Sequence, residues 1–162
     1  MEASTNAGRP TDASKEASSD AEIADDVVPM TSEELTVRAK HLVDAIVADN
    51  AELAVDFLLS REAYAATHTG KDLGRQWEAK IKRPFSRAIH RLHRKRRIDH
   101  ATFGSFQLGS KMTKKPLRHG RKNTSYWHVQ RSTLTIQIEG KSLTLRITEL
   151  AAWKGAWYIL RL

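Results

Sequence analysis

Three groups of side chains in this 162-residue chain have types and spacings that could support chemistry. The densest is basic. Residues 87–97 read RAIHRLHRKRR, six Arg/Lys and two His within about three helical turns. Residues 111–122 add Lys111, Lys114, Lys115, Arg118, Arg121 and Lys122. Phosphate contacts require this density of positive charge. The candidate anion-binding set is Lys80, Lys82, Arg83, Arg87, Arg91, Arg94, Lys95, Arg96, Arg97, Lys114, Lys115 and Arg118. Recognition of single-stranded nucleic acid also needs aromatic stacking platforms, and residues 86–102 contain no Phe, Tyr or Trp. The composition therefore supports electrostatic rather than base-specific attachment.

The second group centres on His128, whose same-face strand neighbours are Tyr126, Gln130 and Ser132. If that face lines a cavity, His128 is a candidate base, with Tyr64 or Asp56 supplied from a helix. General acid–base work requires such a partner within hydrogen-bond reach. The plain alternative is a strand histidine with an ordinary hydrogen bond. Arg61 and Glu62 offer an anion clamp assisted by Arg131 or Arg146, or else a local ion pair or cap. His128, Tyr64 and Arg61 are thus the only catalytic candidates.

The third group is His90 and His93, three apart, with His100 and His119 nearby in sequence. No carboxylate accompanies them at a ligand spacing, and the surrounding guanidiniums repel a divalent cation, so no metal site is expected. The chain has no cysteine, which excludes disulfides, thiol nucleophiles and thiolate metal sites. No Gly-rich phosphate loop or nucleophile elbow occurs, and no cofactor is implied.

The elements that must position these residues follow from the hydrophobic pattern. Residues 1–30 have almost no aliphatic content before Val27–Val28 and read as a disordered acidic tail or linker, followed by one domain over 31–162. Thr31 is the expected N-cap of a first helix, with Glu34 in the capping-box position and Leu35, Ala39, Leu42, Val43, Ile46 and Val47 as its apolar stripe. Residues 51–66 are expected to continue helically, with Leu53, Phe57, Leu58 and Tyr64 as the apolar face and a break or cap at Ser60–Glu62. A long basic helix spans 71–97 on Leu73, Trp77, Ile81, Phe85, Ile89 and Leu92, and Pro84 predicts a kink or restart. A strand over 101–110 carries a bulge signal at Gly104–Ser105. Residues 111–123 read as a basic loop. Strands at about 125–138, 142–150 and 156–162, joined at Glu139–Gly140–Lys141 and Lys154–Gly155, form a closing antiparallel meander.

Charge is unevenly placed. Residues 1–33 carry eight acids and two bases, whereas 71–122 carry seventeen bases and three acids. Such a basic region attracts an anionic partner, which could be an acidic protein, nucleic acid or an anionic membrane surface. Other readings are a solvated face with no partner, or a loose, salt-sensitive cover by the acidic tail. A second copy of the chain, joined through the sheet, is a further candidate partner. No segment has the roughly 18 apolar residues of a membrane span, and 1–30 contains no signal-length apolar run. The chain as written reads as cytoplasmic, or as cell-envelope if a lipoprotein signal has been removed ahead of residue 1.

Helices followed by long antiparallel strands, closing on Trp153, Gly155, Trp157 and Tyr158, resemble the nuclear-transport-factor-2-like superfamily over about residues 34–162. More narrowly, residues 57–64 (FLLSREAY) and 103–109 (FGSFQLG), with that hairpin, are similar to uncharacterised secreted or lipoprotein-type bacterial proteins of this shape. The resemblance implies an α+β fold in which N-terminal helices pack on a curved antiparallel sheet to form a cone. Members of the superfamily act as enzymes, ligand binders or interaction modules, so the fold does not choose among them. Its ketosteroid isomerases place an Asp base and a Tyr–Asp pair in the cone, and its scytalone dehydratases use His and Asp pairs. Here the closing strands hold no acid except Glu139 and Glu149. The expectation is therefore a non-enzymatic binding or interaction module with a basic face. A small-molecule or enzymatic cone pocket and a non-specific nucleic-acid-associated protein are the alternatives.

Overall fold

The computed structural model describes residues 32–96, 98–116 and 125–162. The acidic stretch 1–30, the candidates Arg97 and Arg118, and the side chain of Arg96 lie outside the described residues.

Helix α1 spans Glu33–Val47. Its cap is Ser32, one residue later than the expected Thr31: the Ser32 hydroxyl accepts from the Leu35 amide at 3.1 Å. Glu33 and Glu34 then sit in the first turn, where the positive end of the helix dipole favours them. The buried stripe of Leu35, Ala39, Leu42, Val43 and Ile46 follows the expected period.

The helix expected over 51–66 is interrupted. A 3-10 turn at Ala51–Ala54 leads into an extended passage, and α2 begins only at Arg61, running to Thr67. The Ser60 hydroxyl caps α2 by accepting from the Ala63 amide at 3.1 Å. The passage is extended because its backbone bonds go to the sheet: Ile159 donates to the Phe57 carbonyl at 2.7 Å, and Leu59 donates to the Ile159 carbonyl at 3.0 Å. Phe57, Leu58 and Tyr64 are buried as expected. Leu53 is not: with the helix broken it turns outward and is 45 % exposed.

The basic helix comprises α3 (Leu73–Trp77), a π-turn at Glu78–Lys82 and α4 (Arg83–Arg96). Proline cannot donate to the carbonyl four residues back and crowds it. The helix meets that demand by widening one turn immediately before Pro84. Ile81, Phe85, Ala88 and Ile89 are buried beneath it. Trp77 is half-buried, and its indole nitrogen donates to the Leu59 carbonyl at 2.8 Å.

Five antiparallel strands follow: β1 (Thr102–Gln107), β2 (Lys111–Pro116), β3 (Ser125–Ile138), β4 (Lys141–Trp153) and β5 (Ala156–Arg161). The order is β1-β3-β4-β5, with β2 also on β3. Strands β1 and β2 lie end to end along one edge of β3, opposite residues 133–137 and 125–130 respectively. The register shifts between Phe103 and Ser105, so the expected bulge is present. The basic loop expected over 111–123 is corrected in its first half, which is strand β2. Lysines at the edge of a sheet hide the apolar alternation while discouraging further pairing. Between β1 and β2 the chain passes so near β3 that a Cβ at Gly109 would lie 1.9 Å from the Gln130 carbonyl oxygen, and only glycine fits. The hairpins at Glu139–Gly140 and Lys154–Gly155 place both turn residues at positive φ, matching the twist of the strands they join.

The fold is thus α+β, with α1 packed against β1 and α4. The core unites Leu42, Ile46, Phe57, Tyr64 and Ile89 with Leu134, Ile136, Ile147, Trp157 and Ile159. No helix among the described residues is long and apolar enough to cross a membrane.

Candidate functional sites

The tight turn at Glu139–Gly140 sets the β3–β4 register from Ile138↔Lys141, which brings Glu149 opposite Gln130 and Ala151 opposite His128. Glu149 is therefore a diagonal neighbour of His128, within side-chain reach. Strand β2 pairs Lys115 with Tyr126 and Thr113 with His128 on the other side. One carboxylate oxygen of Glu149 lies 2.6 Å from the Lys115 ammonium and 3.0 Å from His128 Nδ1. Glu149 and His128 are buried, at 9 % and 4 % exposure. The Lys115 contact is a charge-assisted hydrogen bond. The His128 contact is proximity without alignment, and Nδ1 is left with no hydrogen-bond partner.

Burial is the largest cause lowering the His128 pKa below its ordinary value. Lys115 and Lys111 push it the same way, against Glu149. The imidazole is accordingly neutral at pH 7. Burial also raises the Tyr126 pKa, opposed by Lys115 and reinforced by Glu149, so its hydroxyl keeps its proton. The result is one ion pair, its carboxylate buried and its ammonium part-exposed, beside a neutral imidazole and a neutral phenol. A carboxylate held by an ammonium at 2.6 Å is a weakened base, and no described side chain hydrogen-bonds His128 Nδ1 to orient it for proton transfer.

The other catalytic candidates are elsewhere. Tyr64 is buried and stacks on His68 with ring centroids 3.9 Å apart; burial raises its pKa, and its hydroxyl has no hydrogen-bond partner. Arg61 is exposed at the start of α2 and lies over Gly74, where a Cβ would come within 2.1 Å of its guanidinium. Glu62 pairs with Lys154 at 3.0 Å, and Asp56 with His41 at 2.7 Å. No described contact joins His128 to Tyr64, Asp56 or Arg61. The two helical histidines also part company: His90 contacts Asp49 at 2.7 Å and His93 contacts the Ile46 carbonyl at 3.1 Å. Among the described residues no group of three His, Asp or Glu side chains could hold a metal ion.

The basic candidates divide into engaged and open members. Lys115 is held by Glu149, Lys82 lies 3.4 Å from Glu52, and Lys80 donates to Gln76 at 3.4 Å. Lys114 is exposed, 5.7 Å from the centre of the Trp127 ring. Arg83, Arg87, Arg91, Arg94 and Lys95 are exposed on α4, and no carboxylate among the described residues pairs with them. Their spacing of four, four and three puts the arginines on the side of α4 away from Phe85 and Ile89.

A cleft of about 480 Å³ lies where α4 passes β4. Arg91 comes from the helix, and Thr144, Leu145, Arg146 and Thr148 from β4, where it runs past its pairing with β5 at 149–153 and both faces reach the strand edge. Ala88, Leu92, Leu145 and Leu162 supply its apolar lining. Arg146 thus shares a cleft with Arg91 rather than with Arg61. The alternation Thr-Leu-Arg-Ile-Thr at 144–148 was the available sequence signal, but the helix that completes the cleft is not apparent from it. Comparison of the chain with protein-family models, curated proteins and solved structures gives no significant match.

Proposed function

We propose that this protein is a non-enzymatic interaction module that engages an extended polyanion along the exposed side of α4. The observation that carries this reading is the row Arg83, Arg87, Arg91 and Arg94, four guanidiniums over about 16 Å of helix with no described carboxylate partner. Guanidiniums keep their charge at every physiological pH and match phosphate and carboxylate geometry. The absence of aromatic side chains on α4 after Phe85 favours recognition of charge over recognition of bases. The scaffold is read as a nuclear-transport-factor-2-like cone. Supporting that reading are the helices-first order, the long β3–β4 hairpin, the closing Trp153–Tyr158 hairpin and the extended 57–59 passage along β5.

Binding of a fluorescent 20-nucleotide single strand and retention on heparin, each measured against salt, test the proposal. Retention at low salt is expected, with log affinity falling linearly in log salt. Replacing Arg83, Arg87, Arg91 and Arg94 together by Gln should lower the steepness of that line by about 0.7 for each phosphate the row no longer neutralises. A wild-type chain that passes through heparin at low salt overturns the reading.

A further inference from the structure

We propose that the cleft between α4 and β4 is a binding site for a small amphiphilic anion, one carboxylate or phosphate head on an aliphatic tail. The head is specified by Arg91 and Arg146, which enter one cleft from two different elements and are both exposed without a described carboxylate partner. Two guanidiniums in one cleft repel each other, and a single anion between them relieves both. Thr144 and Thr148 add hydroxyl donors on the same strand face. The tail is specified by Ala88, Leu92, Leu145 and Leu162. No aromatic ring lines the cleft, so a nucleobase has nothing to stack on, whereas an alkyl chain needs only aliphatic walls. A volume of about 480 Å³ falls in the range of small-ligand sites and exceeds what a bare inorganic ion fills. This site shares only Arg91 with the polyanion row. Arg146 lies on β4, so the two proposals stand or fall separately.

Calorimetric titration of the full chain with octanoate and with octyl phosphate tests the site, and the tighter of the two identifies the head group. One-to-one saturable binding of at least one is expected. Acetate, inorganic phosphate and octanol, each lacking either tail or charge, should bind about tenfold more weakly or worse. Arg146→Gln should lower affinity about tenfold, the size of a charge-assisted hydrogen bond. Arg161→Gln, an exposed charge on β5 outside the cleft, should leave it unchanged. Thr148→Val provides a second variant of the same strand face, with a several-fold loss expected. The combined replacement of Arg83, Arg87 and Arg94 by Gln should weaken heparin retention without changing octanoate or octyl phosphate affinity. The proposal is overturned by the absence of saturable heat with either amphiphile. It is equally overturned if inorganic phosphate binds as tightly as octyl phosphate, or if Arg161→Gln weakens binding as much as Arg146→Gln.

Discussion

Two cationic regions of this molecule use similar side chains to opposite ends. Between β2, β3 and β4, Lys115 turns to a buried carboxylate, and the neighbouring His128 is kept neutral by that burial. Along α4 the arginines stand in water on the side away from the core, with no described acid beside them. The difference teaches where charge is structural and where it is available. A buried ion must be matched because desolvation costs several kcal/mol, so the buried Glu149 commits the half-exposed Lys115 to the fold. An exposed guanidinium costs little to leave unmatched, so the helical row remains open to an external anion.

The sharpest way to break this contrast is to remove the acid from the closed region. Glu149→Ala leaves Lys115 without its partner and strips His128 of the one negative charge near it among the described residues. Breaking a buried pair costs about 3–5 kcal/mol when the surviving charge stays buried, but Lys115 is 42 % exposed and turns into solvent, so most of that penalty is avoided. A loss of about 1.5 kcal/mol, the scale of a charge-assisted hydrogen bond, is expected as a reduced urea midpoint at unchanged slope. An unshifted midpoint would show that the pair is not structural. A smaller effect comes from acid. The His128 pKa is depressed in the folded state, so the unfolded chain binds the extra proton. Its contribution to stability is complete above the unfolded value near 6.5 and declines as pH falls below it. Urea midpoints recorded from pH 8 to pH 5 should fall more steeply for the wild type than for His128→Gln. Parallel curves would remove His128 from the cause.

How far these regions could be read from sequence depends on the range of the contacts that build them. The α4 row follows from helical spacing alone. The meander follows from alternation and two glycine turns, but a three-residue turn over 139–141 misses by one the observed register Ile138↔Lys141 that sets Glu149 diagonal to His128. Lys115 was not readable in the same way, because residues 111–116 offer one apolar side chain, Met112, and their register depends on pairing with 125–130. The break after Ala54 was equally hidden. Residues 57–59 exchange helical hydrogen bonds for bonds to Ile159, a hundred residues away. The cleft required knowing which strand α4 crosses, a packing outcome that local patterns do not encode.

On the open side the expected stability changes are small. Arg87→Gln should alter stability by no more than about 0.5 kcal/mol, as for other surface substitutions away from specific contacts. The same change should reduce the salt dependence of oligonucleotide binding by about 0.7 in log–log slope if Arg87 contacts a phosphate. Denaturant melts and anisotropy titrations on one variant read both quantities. A stability loss above 1 kcal/mol would mean that the row is tied into the fold.

The smallest effect completes the contrast, because it holds the ion-pair type constant and varies only burial. Lys154 and Glu62 lie 3.0 Å apart with 66 % and 73 % of their side chains exposed, whereas Glu149 in the Lys115 pair is only 11 % exposed. Water screens the first pair almost fully, and both long side chains lose rotamer freedom to hold it. Double-mutant cycles to Ala on each pair should therefore give a coupling of about 0.2–0.5 kcal/mol for Lys154–Glu62 and a clearly larger one for Lys115–Glu149. Raising salt to about 1 M, where the screening length is about 3 Å, should erase the first coupling and leave most of the second. Equal couplings in the two cycles would mean that burial is not what separates the structural charges of this protein from the available ones.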